Sequence, residues 1–238
     1  MATIADHLQA VQERIAQAAL AAGRDAQKIT LLAVSKTHPA SRVLEAVEAG
    51  QRAFGENYVQ EAAHKMDSVA AALGPQVALE WHLIGPLQSN KTRIVAERFD
   101  WVQTIDREKI AQRLSSQRPE ARAPLNVLVQ VNVSGEHSKS GVAPEAAVAL
   151  AQAVARLPRL RLRGMMAIPE PTEDAALQRR RFRLLRELLE AARARGLALD
   201  TLSMGMSDDM EAAIAEGATM VRIGTAIFGA RESARSVA

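Results

Sequence analysis

Eight short apolar, β-branched runs alternate along the chain with helical patterns, and this alternation narrows the fold more than any other feature. The runs are Thr30–Val34, Arg52–Phe54, Leu79–Ile84, Trp101–Thr104, Leu125–Val133, Leu160–Ala167, Thr201–Met204 and Met220–Ile223. Helical patterns fill the intervals near Ser41–Ala49, Tyr58–Ala72, Asn90–Glu97, Arg107–Ser116, Pro144–Arg156, Glu173–Arg195 and Asp208–Ala215. A repeated strand–helix–strand order predicts an α/β fold, a parallel sheet with helical crossovers. Eight units are the number that closes a (β/α)8 TIM-type barrel, with an open doubly wound sheet as the alternative. A length of 238 residues suits one such barrel. With no Pro/Gly/Ser-rich linker and no repeat of residue identity, residues 1–238 read as a single domain.

Ahead of the first strand, Ile4, Leu8, Val11, Ile15 and Ala19 recur at helical spacing. Acidic Asp6 and Glu13 make that segment an amphipathic helix rather than a targeting peptide. Composition excludes several classes. Cysteine is absent, which rules out disulfides and thiolate metal sites and accords with a cytoplasmic location. The five histidines lack ligand spacing, so no metal is expected. No apolar run reaches the ~20 residues of a membrane span. A net charge of +3 raises nucleic acid as a partner, but aromatic content is 3%, which leaves little for base stacking. The arginines of Arg179–Arg195 read instead as a solvated helix face.

In a barrel of this kind the chemistry lies where strands end and βα loops begin. That rule selects Lys36, Glu56–Asn57, Gly85 to Asn90, Asp106, Ser134 to Ser140, Met204 to Ser207 and Arg222 to Thr225. Lys36 closes the run Ile-Thr-Leu-Leu-Ala-Val-Ser-Lys. An amine at the mouth of a buried strand is partly desolvated, which favours the neutral form that condenses with an aldehyde. The alternative is a lysine that snorkels to solvent.

The last strand runs into Arg222-Ile223-Gly224-Thr225, followed by a short helical stretch. Loops after strands seven and eight form the common phosphate site of barrel enzymes. Gly224 permits close approach there, and Thr225 and Ser207 offer hydroxyls. Ser207 could equally N-cap a helix opening at Asp208-Asp209, and that acidic pair suits a phosphate only if it points away. Arg222 alternates with apolar Val221 and Ile223, so it is expected to face the barrel interior or its mouth and needs a partner, either an internal carboxylate or a ligand atom. His82, between Trp81 and Leu83, reads as a satisfied, half-buried imidazole, and Ser134–Gly141 as a polar, glycine-bounded loop.

These segments, taken together, resemble a known family. Val34-Ser35-Lys36, Gly55-Glu56-Asn57-Tyr58, His82-Leu83-Ile84-Gly85 with Gln88-Ser89-Asn90-Lys91, Ser203 through Asp208 and Arg222-Ile223-Gly224-Thr225 are similar to the pyridoxal phosphate (PLP) homeostasis proteins, also called proline synthase co-transcribed homologues. The resemblance runs in register from Ile29 to Arg231. It implies the alanine racemase-like barrel, PLP fold type III, without the C-terminal β domain, which would not fit before Ala238. It also implies PLP as cofactor, with Lys36 as the Schiff-base lysine, Arg222 facing the pyridine nitrogen, Ser207, Gly224 and Thr225 as the phosphate cup, and Asn57 and Met204 lining the ring.

A permanent cation beside the pyridine nitrogen keeps it unprotonated and makes the ring a weaker electron sink. The implied role is therefore PLP binding and vitamin B6 homeostasis, as buffer or carrier, rather than catalysis. PLP-dependent apoenzymes are the implied recipients, with no nucleic acid or membrane partner, and the chain is expected as a monomer or weak dimer. An amino-acid racemase on the same barrel is the alternative. A Schiff-base aldolase would explain Lys36 and the cup but would have no use for Arg222.

Overall fold

The computed structural model describes residues 2–135 and 140–229. Its strands are β1 (Thr30–Val34), β2 (Ala53–Glu56), β3 (Glu80–Leu83), β4 (Trp101–Ile105), β5 (Leu125–Gln130), β6 (Leu160–Met166), β7 (Thr201–Ser203) and β8 (Met220–Ile223). All are parallel to their neighbours and they close in sequence order into one barrel. The pairing that closes it sets Leu32 opposite Arg222 and Ala33 opposite Ile223. That seam between the first and last strands decides for the barrel over the open sheet.

The helices are α1 (Ile4–Ala21), α2 (Ala40–Glu48), α3 (Val59–Leu73), α4 (Thr92–Arg98), α5 (Glu108–Gln117), α6 (Pro144–Ala155), α7 (Ala175–Arg193), α8 (Met210–Ala215) and α9 (Thr225–Phe228). Helix α1 starts at a reciprocal cap between Thr3 and Asp6 and buries Ile4, Leu8, Val11 and Ile15. Among the described residues no helix is long and apolar enough to cross a membrane.

Strand periodicity divides the apolar residues into two layers. One parity, including Ala33, Phe54, Leu83, Val127, Leu202 and Ile223, packs outward into the main core beneath the helices. The other parity fills the barrel interior, with Leu32, Val34, Ala53, Ile84 and Met220 in one cluster and Trp101, Leu128 and Met166 in another. Gly164 is forced by the β6–β7 contact, since a Cβ there would stand 1.8 Å from the Thr201 carbonyl oxygen.

Several boundaries differ from the sequence reading for identifiable reasons. β5 stops at Gln130 because Val131 makes only an isolated bridge to Val142 before the chain turns away. α8 begins at Met210, not Asp208, because the residues before it form a turn in which Asp209 accepts from the Met206 N–H. The arginine face of α7 is more than a solvated surface. Arg179, Arg183 and Arg186 all donate to the carboxylate of Glu216, a side chain 1% exposed at the end of α8. Of the Ser134–Gly141 loop, residues 136–139 lie outside the described residues, as does Arg231.

Candidate functional site

A cavity of about 550 Å³ opens at the C-terminal ends of the strands. Val34 and Lys36 line it from the end of β1, Asn57 from β2, Ile84 from β3 and Ile168 from β6. Met206, Ser207 and Asp208 follow β7, while Arg222, Gly224, Thr225 and Ala226 come from β8 and the start of α9. Residues distant in sequence meet because parallel strands deliver all their C-terminal ends to one face. A cavity of about 540 Å³ adjoins it, sharing Met206 and Asp208. Another, of about 520 Å³, lies at the opposite face around Arg161, Arg163 and Asp200. Of these three cavities among the described residues, the first gathers an amine, a buried guanidinium and a helix start, so it is the candidate site.

The alternation that orders the barrel also aims its site residues. Lys36 continues the inward parity of Leu32 and Val34, and Asn57 that of Ala53 and Gly55. Lys36 is half-buried, and both its neighbours are tied down. The Ser35 hydroxyl donates to Glu56 Oε1 at 2.7 Å, and the Thr37 N–H donates to Glu61 Oε1 at 2.7 Å. Lys65 Nζ, buried on α3, joins the two by donating to the Ser35 carbonyl, Glu56 Oε1 and Glu61 Oε1. Burial pushes the Glu56 carboxyl up, against the charge of Lys65. This holds Thr37 at φ 65°, a left-handed conformation uncommon for a residue with a Cβ. Sequence reading did not single out Lys65. A lysine on an otherwise amphipathic helix carries no sign that it is buried.

Arg222 is 3% exposed and donates from Nη1 to Ser203 Oγ at 2.7 Å and from Nη2 to the Ala167 carbonyl at 2.8 Å. Burial lowers its pKa to about 10, against the charge of nearby Asp209, so the guanidinium stays cationic at neutral pH. For Asp209, burial pushes the carboxyl up, with the Met206 N–H and Arg222 acting the other way. Of the acidic pair, Asp209 thus points inward while Asp208 lines the cavity. Ser207 is not a helix cap; it lines the cavity, half-buried, and its carbonyl accepts from Arg14.

Gly224 sits where β1 and the start of α9 nearly touch, since a Cβ there would lie 3.2 Å from the Val34 carbonyl oxygen. Helix α9 begins directly after it, so Thr225 and Ala226, whose first-turn N–H groups have no acceptor within the helix, both line the cavity. Asn57 Oδ1 is buried in the cavity wall without a hydrogen-bond partner among the described residues. The six sequence-selected residues Lys36, Asn57, Ser207, Arg222, Gly224 and Thr225 therefore share one cavity.

Met204 does not belong with them. It is fully buried in the outer core, because strand parity turns it away from the interior face that Ser203 occupies. Gly205, at φ 96°, then re-aims the chain so that Met206 reaches the cavity. His82 also differs from expectation. It is fully buried rather than half-buried, and Nδ1 has a partner in Gln103 while Nε2 has none within hydrogen-bond distance among the described residues. Among the described residues no group of three or more His, Cys, Asp or Glu could hold a metal ion.

Comparison with known proteins agrees with this geometry. The family described as alanine racemase, N-terminal domain, matches residues 7–232. A protein of Pseudomonas aeruginosa named pyridoxal phosphate homeostasis protein is 62% identical over 232 residues, which is 98% of this chain and 97% of that one. A protein of the same name from Escherichia coli is 57% identical over 235 residues, 98% of each chain. Among solved structures, PipY of Synechococcus elongatus with PLP bound superposes with a TM-score of 0.81 at 35% identity, covering 95% of this chain and all (100%) of that one.

Proposed function

The chain belongs to the alanine racemase N-terminal domain family and, within it, to the pyridoxal phosphate homeostasis proteins, and on that premise we propose that its cavity holds PLP as a Schiff base on Lys36. The observation that carries the reading is the joining of Lys36, Arg222 and the open end of α9 in one cavity of about 550 Å³. That volume lies in the usual range for a small-ligand site.

Apart from Asp208, an exposed carboxylate in the lining that disfavours a neighbouring anion, the residues present fit the group. Gly224 keeps the approach to α9 free of a side chain, while Ser207 and Thr225 place hydroxyls beside first-turn N–H groups, a donor set suited to a phosphate. Asn57 Oδ1, buried and unpartnered, supplies an acceptor for a polar ligand atom. Lys36 supplies the amine, on a backbone held on both sides by Glu56, Lys65 and Glu61. Arg222 is assigned to the ring nitrogen, where a cationic donor keeps that nitrogen an unprotonated acceptor. PLP ordinarily supplies an electron sink to amino-acid chemistry, and this pairing weakens it.

The role that follows is retention and release of the cofactor, as a buffer or carrier for PLP-dependent apoenzymes, rather than turnover. The names of the relatives support that choice over a racemase. The proposal takes residues 1–238 as one cofactor-binding unit, since every lining residue comes from a single barrel. Borohydride reduction of the PLP-loaded protein followed by peptide mapping tests the attachment. Pyridoxyl label is expected on Lys36, and Lys36→Ala should remove the visible band at stoichiometric PLP. Label confined to another lysine of the unaltered chain would overturn the assignment.

A further inference from the structure

Arg222 is one end of a hydrogen-bond chain that crosses the barrel interior. From β8 its Nη1 donates to Ser203 Oγ on β7 at 2.7 Å. The Ser203 hydroxyl donates to Gln103 Oε1 on β4 at 2.6 Å. Gln103 Nε2 in turn lies 2.9 Å from His82 Nδ1 on β3. His82, Gln103 and Ser203 have no exposed surface, so solvent cannot stand in for a missing partner.

The chemistry of the groups allows one direction of donation. A guanidinium only donates, so Ser203 Oγ accepts from it, and the hydroxyl proton must go to another acceptor. Gln103 Oε1 is that acceptor. With its oxygen so committed, the Gln103 amide presents N–H to His82, and Nδ1 must accept. His82 is therefore neutral, with its proton on Nε2, the nitrogen facing Glu80 Oε2 at 3.7 Å. Burial favours the same neutral state. The stacked ring of Trp101, 5.1 Å from the imidazole centroid, holds His82 in that plane. Rotating the Gln103 amide by half a turn would aim its N–H at a hydroxyl already receiving one from Arg222. It would also leave the hydroxyl proton without an acceptor, at the cost of a buried unsatisfied group.

We propose that Gln103 and Ser203, backed by His82, are positioning residues for Arg222: their directed chain fixes the guanidinium that the cavity presents to the ring nitrogen of PLP. This rests on the reading that PLP is the ligand. Two of the guanidinium's five N–H groups are used, on Ser203 and on the Ala167 carbonyl, which fixes its plane at the wall of the cavity that Arg222 lines and leaves other N–H groups for a ligand there. Removing Ser203 Oγ leaves Arg222 anchored at one point, free to turn. Removing Gln103 Oε1 leaves the Ser203 hydroxyl without its acceptor, so the hydroxyl no longer holds one orientation toward Arg222.

The test measures PLP retention for the unaltered protein, Ser203→Ala, Gln103→Leu and Arg222→Gln, and for Arg222→Gln combined with each of the others. Ser203→Ala should weaken PLP binding about tenfold, the worth of one hydrogen bond to a charged group. Gln103→Leu should weaken it by a smaller factor, because it removes only the neutral bond behind Ser203, and both should shift the visible band. In the Arg222→Gln background the same replacements should change binding by less than about twofold, because they act only through the guanidinium. A repeated tenfold loss in that background would show that they act by packing and overturn the inference. Single replacements that bind PLP as the unaltered protein does would overturn it too, while leaving the Schiff-base reading intact. An unaltered protein that retains no PLP would overturn both. Independently of PLP, 15N NMR of His82 in the unaltered protein should show the Nε2–H tautomer at neutral pH. An Nδ1–H tautomer would refute the chain.

Discussion

At the scale of single residues, the cavity concentrates its charge recognition on few atoms. In the proposed binding mode the anion end depends on the Ser207 and Thr225 hydroxyls and on N–H groups at the start of α9. Pyridoxal, which keeps the aldehyde but lacks the phosphate, forfeits those partners. Each charge-assisted hydrogen bond is worth about 1.5–3 kcal/mol, so losing two should weaken binding by ~10²-fold or more. Competition between pyridoxal and PLP, read by the visible band, measures the ratio. Equal affinities would place the phosphate elsewhere. Most of these residues were legible in the sequence because each ends or follows a strand, and strand parity settles which of two neighbours points inward. One residue was misplaced, by the resemblance and against that parity. Met204 was assigned to the ring although Ser203 takes the interior position, and Met206 reaches the cavity only through the backbone turn at Gly205. Sequence alone could not supply that dihedral.

Elements are joined by contacts that pattern reading passes over. Glu216 closes α8 and is 1% exposed, yet it holds three arginines of α7 that are between a third and a half exposed. Burial pushes its carboxyl up, but the hydrogen bonds and charges of Arg183 and Arg179 outweigh this and hold it below the ordinary 4.5 of a glutamate. Because the folded value is the lower one, the resulting stability is complete above about pH 4.5 and is lost as pH falls through the folded value. Glu216→Gln keeps the shape and removes the charge. Discounted for the solvent around the arginines, the loss should be about 2 kcal/mol at neutral pH, or about 4–8 °C in Tm. Urea titrations at several pH values check both points. The gap between the two proteins should shrink below pH 4.5, and a gap unchanged down to pH 3 would count against the clamp. In the sequence, the α7 arginines read as solvated, since their shared partner lies some 30 residues downstream on the next helix.

For the whole molecule, a ligand that binds only the closed barrel must stabilise it. At a free PLP concentration about 100 times Kd, the gain is about 2.7 kcal/mol, which for a chain of this length raises Tm by about 5–10 °C. Calorimetry with and without PLP should show that rise, with most of it lost in Lys36→Ala. A Tm indifferent to saturating PLP would contradict cofactor binding within the barrel. The seam between β1 and β8 makes this coupling global, because Lys36 and Gly224 stand at the ends of the two strands that close the barrel.

What the sequence determined by itself was the count and order of the elements, the face on which the site lies, and the residue types gathered there. These follow from short-range physics: alternation with period two or 3.6, helix caps, and the rule that parallel strands send their C-terminal ends to one side. The tertiary structure alone decided closure over an open sheet, the burial of Lys65 and of His82, and the clamp on Glu216. It alone decided the chain from His82 to Arg222 as well. Each of these depends on which side chains meet across the barrel or between distant helices. Hydrogen bonds between residues 19 to 100 positions apart leave no periodic trace, because their partners are chosen by the register of the closed sheet.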